Sequence, residues 1–96
     1  MLQEIVIRTE NADALKPLVR AAMDREAKLL EHSVQRTRSA LGGFEKRHNM
    51  TTEEFERKFK SREIEESLDF LDWWMEVEAL RHLESQLQSM REAQLD

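Results

Sequence analysis

The sequence predicts a mainly α-helical single domain over residues 1–96. The expected architecture is a long antiparallel helical hairpin with a short connecting helix, preceded by an N-terminal β-strand and dimerising into a helical bundle. Three observations predict it. Apolar residues recur at three- and four-residue spacing through both halves of the chain, a helix-start signature stands near the middle, and the two halves carry opposite net charge.

Composition narrows the class first. Ninety-six residues with 40% hydrophobic and 36% charged side chains, two Gly and one Pro describe long surface helices around one small core. With no cysteine, disulfide staples, thiolate metal sites and Cys nucleophiles are excluded. An unstapled chain this small commonly gains burial by oligomerising, which points to a homodimer. No apolar run reaches the roughly 20 residues of a membrane span, and MLQEIVIRTE is too short and too acidic for a secretory signal, so a cytoplasmic protein is expected.

Leu2 to Thr9 contains the β-branched run Ile5, Val6, Ile7 between polar residues and reads as a strand over 2–9. No other segment reads as a strand, and a lone strand leaves its backbone donors and acceptors unpaired. Its partner is therefore the same strand of another copy, or the sheet edge of a different protein.

Asn11 or Asp13 can cap the following helix, expected over 14–48 and about 52 Å long at 1.5 Å per residue. Its apolar stripe runs Leu15, Val19, Met23, Ala27, Leu30, Val34, Thr37, Leu41, Phe44, His48, with heptad spacing from Met23 onward. Gly42-Gly43 admits two readings: a helix end with Gly at C′, or a continuing helix whose small residues make room for a bulky neighbour. The second is preferred, because Phe44 and His48 prolong the stripe beyond the pair. Asn49 is then the left-handed cap.

Thr51 with Glu54 forms a capping box and Met50 with Phe55 a hydrophobic staple, starting a short helix over 52–60. The last helix is expected over 64–94, with acidic residues crowding its first turns where the helix dipole favours them. It carries two adjoining stripes: Ile64, Leu68, Leu71, Met75; and Phe70, Trp73, Trp74, Val77, Leu80, Leu83, Leu87, Met90. Together they are wider than one neighbouring helix covers, so a further partner is expected.

Charge supports the hairpin. Residues 1–50 hold nine Lys/Arg against seven Asp/Glu, and residues 51–96 hold six against thirteen, which is a pairing signal between antiparallel halves. The basic cluster Lys46, Arg47, Arg57, Lys58, Lys60 and Arg62 reads as a solvated corner balanced by Glu53, Glu54, Glu56 and Glu63. Nucleic-acid contact is the disfavoured alternative, because phosphate binding needs uncompensated charge.

Glu45 and His48 have the E-x-x-H spacing of di-metal bundle proteins, yet the motif occurs once and at a helix end, so a packed His is preferred and no metal or cofactor is assigned. No nucleophile–base pair and no phosphate-cradling Gly loop is present, so the chain is read as non-enzymatic. Trp73-Trp74 reads as one ring filling the core opposite Ala40, Gly42 and Gly43 and one at a dimer seam. The alternative is an anchor in an interface with another protein.

FEKRHNMTTEEFERKF at 44–59, ESLDFLDWW at 66–74 and EIVIRTENADALKPLV at 4–19 resemble a set of small prokaryotic helical proteins encoded beside small toxins. Such proteins often carry Gly where this chain has Asn49 and again near Ser61-Arg62. The resemblance implies an antitoxin-like protein that binds and neutralises a partner. The contact residues assigned on the chain are Leu2, Ile5, Val6, Ile7, Trp73, Trp74, Val77 and Leu80. A self-associating structural protein and a DNA-binding regulator of its own operon are the alternatives.

Overall fold

A computed structural model describes residues 1–95. Three helices follow one another: α1 over Ala12–His48, α2 over Thr52–Lys60 and α3 over Leu68–Glu92. α3 runs back along α1, giving a rod with principal extents of 58 × 26 × 18 Å.

α1 starts at Ala12, two residues before the expected start, with Asn11 as its cap: the Asn11 side chain accepts from the Ala14 N–H at 3.1 Å. The Asn11 carbonyl accepts the first helical bond from Leu15, and the Thr9 hydroxyl accepts from the Asn11 N–H. The helix runs unbroken through Gly42-Gly43, as the stripe required, and ends at Asn49 in the left-handed region (φ 49°). The reason given for the glycines does not hold. A Cβ built on either meets nothing within 4 Å, so they make room for no ring.

α2 has the expected bounds and cap: the Thr51 hydroxyl accepts from the Glu54 N–H at 3.1 Å. α3 starts later than 64 and ends at Glu92 rather than 94. Arg62 takes a left-handed conformation (φ 59°), which stops α2, and Ser67 accepts from the Phe70 N–H, which starts α3. The acidic run Glu63, Glu65, Glu66 therefore lies in the connection and not in the first turn, where Asp69 stands instead.

The expected strand over 2–9 is not an element of this fold: residues 1–9 carry neither helix nor strand. The physical reason lies in the sheet itself, since a strand exists only through its ladder and among the described residues no segment pairs with it.

The core lies in two linked clusters. Near the corner are Leu41, Phe44, Phe55, Trp73 and Val77; farther along the rod are Leu30, Val34 and Leu87, with Leu80 touching both. Arg38–Glu84 at 3.1 Å, Arg47–Asp69 at 3.0 Å and Arg91–Glu31 at 3.7 Å tie α1 to α3. All six side chains are well exposed, so these pairs set register more than they stabilise. α1 is twelve residues longer than α3, and Arg91 beside Glu31 marks how far α3 reaches. The first turns of α1 thus project beyond α3, with Leu15, Val19 and Met23 half-buried.

Candidate functional site

The corner is built from rings contributed by all three helices. Trp73 is fully buried between Phe55, at 4.0 Å between centroids and nearly parallel, and Phe44, at 5.6 Å. Its indole N–H donates to the Thr52 hydroxyl at 3.3 Å, so the one polar atom of the ring is satisfied. His48 stacks on Trp73 and tilts onto Phe70, and Phe59 stacks on Trp74 at 5.1 Å. Lys60 lies over the outer ring, 5.7 Å from its centroid.

The two residues of the E-x-x-H pair are each engaged in joining helices. The Glu45 carboxylate accepts from the Thr52 backbone N–H at 2.8 Å, capping α2 from α1. His48 Nε2 donates to Asp69 at the start of α3, and Arg47 donates to the same carboxylate through two nitrogens. The His48 hydrogen bond, against the opposing effect of desolvation and with the help of Arg47, holds the Asp69 carboxyl below its ordinary value. Among the described residues no group of three or more His, Asp or Glu is placed to hold a metal ion.

The basic cluster is largely compensated. Arg47 pairs with Asp69, Arg57 with Glu63, Lys58 with Glu54 and Lys60 with Glu56, so four of the six basic side chains are matched by a carboxylate, and Lys46 and Arg62 make no ion pair among the described residues. Arg81 on α3 also reaches Glu56 on α2.

The expected contact residues divide into two groups. Leu2, Ile5, Val6 and Ile7 are exposed, at 81, 94, 69 and 58%. They line an open cleft of about 570 Å³ with Ala12, Leu15, Val19 and the tail residues Ala93 and Leu95. Trp73 and Val77, by contrast, are buried inside the hairpin, and Trp74 and Leu80 pack partly buried against the same core. Assigning Trp73 and Val77 to partner contact is therefore corrected: their stripe is the one that meets α1. The stripe left in solvent is Leu68, Leu71 and Met75, with Leu68 at 82% and Met75 at 67%. Its i, i+3, i+7 spacing was visible in the sequence, but nothing there said which of two adjoining stripes α1 would take.

Residues 2–7 and this outer stripe of α3 are where exposed large apolar side chains cluster, with Leu18 and Leu29 of α1 also in solvent. The fold and its surfaces define a helical hairpin with an apolar N-terminal arm. Compared with protein families, curated proteins and solved structures, the chain matches none. Among the described residues no helix is long and apolar enough to cross a membrane.

Proposed function

We propose that this chain is a non-catalytic protein-binding module of the cytoplasm, antitoxin-like, that grips and neutralises a partner protein as a homodimer. Residues 2–9 add as a β-strand to the partner's sheet edge, and Leu68, Leu71 and Met75 cover an apolar surface beside it. One observation carries this reading: four large apolar side chains, Leu2, Ile5, Val6 and Ile7, stand in solvent on a segment whose backbone enters no ladder among the described residues, next to a hairpin that is already packed. An aqueous protein holds such a segment at a cost unless another polypeptide covers it.

The test is co-expression with the product of the neighbouring gene, comparing the full chain with a version lacking residues 1–9. Complex formation is expected to be lost on deletion, with the far-ultraviolet helical signal per helical residue unchanged. Undiminished binding by the shortened chain would sink the proposal. The compensated basic corner disfavours the operator-binding alternative.

A further inference from the structure

The arm has a symmetry that the single chain does not use. Residues 3–9 read Gln-Glu-Ile-Val-Ile-Arg-Thr, a palindrome about Val6 in residue class and a complementary one in charge. Glu4 stands two residues before Val6 and Arg8 two residues after it, with Ile5 and Ile7 between.

We propose that residues 3–9 pair antiparallel with the same residues of a second copy of this chain, with Val6 of both strands on the two-fold axis. The proposal rests on the reading of residues 2–9 as a pairing strand and adds its occupant and register. In this register Glu4 faces Arg8 of the other copy twice over, Ile5 faces Ile7, Val6 faces Val6 and Gln3 faces Thr9. Every neighbouring register is worse. A shift of one residue either way sets Glu4 against Ile7 or Arg8 against Ile5, and a parallel in-register pair sets like charges together. The charge pattern thus selects one arrangement, and a closed two-fold pair is the symmetry in which one strand can satisfy itself.

Alternation of side chains gives the pair two different faces. One holds Ile5 and Ile7 of both copies, an apolar patch of four isoleucines; the other holds Val6 between the cross-strand ion pairs. A two-stranded ribbon is marginal in water until one face is covered. The open cleft between the arm and Leu15, Val19, Ala93 and Leu95 supplies apolar surface for that closure. The ribbon's outer edges remain unpaired, so a partner's sheet can still add to it.

Because the chain has no cysteine, single thiols report the register directly. Under mild oxidation of the full chain, Val6→Cys is expected to cross-link to its own copy almost completely. Ile5→Cys alone is expected to cross-link poorly, since its copies lie two residues out of step, about 8 Å apart at Cα, beyond disulfide reach. An equimolar mixture of Ile5→Cys and Ile7→Cys should give the mixed disulfide. Independently, Glu4→Arg and Arg8→Glu should each weaken self-association on the order of tenfold, because two attractive pairs become repulsive in every dimer. The double variant, and an equimolar mixture of the two single variants, should restore it.

Val6→Cys cross-linking no better than Ile5→Cys, or charge reversals that leave self-association unchanged, would overturn the pairing. The outcomes separate from those of the partner-binding reading. If the reversals are silent while deletion of residues 1–9 still abolishes partner capture, self-pairing falls and the binding module stands. If the mixed variants associate while deletion leaves capture intact, self-pairing stands and that reading falls.

Discussion

Asn49 and Arg62 are the two non-glycine residues of the described chain with positive φ, and they end α1 and α2 respectively. Asn tolerates the left-handed region; Arg does not, and its Cβ is strained there. Arg62→Gly is therefore expected to raise stability by about 1 kcal/mol, and Asn49→Gly by less, measured by urea unfolding. Gly42 and Gly43, by contrast, are helical and have open space at Cβ. Gly42→Ala should stabilise by about 0.5–1 kcal/mol through the cost of glycine in a helix interior. At Asp69 the depressed carboxyl pKa means that its contribution is present above the ordinary carboxylate value of 3.8 and is lost as pH falls through the lower folded-state value. Asp69→Asn should flatten this part of the acid dependence of thermal unfolding while lowering stability at neutral pH.

At the scale of elements, the corner is over-determined. α2 is only nine residues, too short to persist alone, yet it is capped by Thr51 and by Glu45 from α1 and pinned by Phe55 under Trp73. Removing the ring that all three helices share should be costly. Trp73→Ala is expected to lose about 3–5 kcal/mol, close to the whole stability of so small a domain, and to be seen as collapse of the thermal transition. Trp74→Ala, partly buried against Phe59 and under Lys60, should lose less. Equal losses would show that the two rings are not divided between core and surface as described.

For the molecule as a whole, the rod divides into a packed corner and an open end. The corner holds the larger core cluster, and the open end holds the projecting turns of α1, the arm and the cleft between them. Substituting the outer stripe, as in Leu68→Gln with Met75→Gln, should leave thermal stability within about 0.5 kcal/mol, since neither side chain is buried in the hairpin. It should weaken partner binding in the co-expression assay; unchanged binding would remove this stripe from the interface.

The helix pattern, both inner caps, the unbroken run through Gly42-Gly43 and the pairing of a basic half with an acidic half were legible in the sequence. Each depends on residues three or four apart or on the sign of a charge, and so needs no knowledge of the fold. The start of α3 was misplaced by four residues because the acidic run Glu63, Glu65, Glu66 suits a helical first turn as well as a connection, and the residue that starts the helix is the Ser67 cap. The strand over 2–9 was read from its residue types, but a ladder needs a second strand, and residue types do not supply one. Which stripe of α3 is core was likewise decided only in three dimensions. Both stripes are apolar and adjacent, and Phe44 with Phe55 enclosed Trp73 and Val77, leaving Leu68, Leu71 and Met75 outside. Sequence by itself determined that the chain is a capped helical hairpin with an apolar arm; tertiary structure decided which apolar residues remain for a partner, because a hairpin has one inner face and covers whatever lies on it.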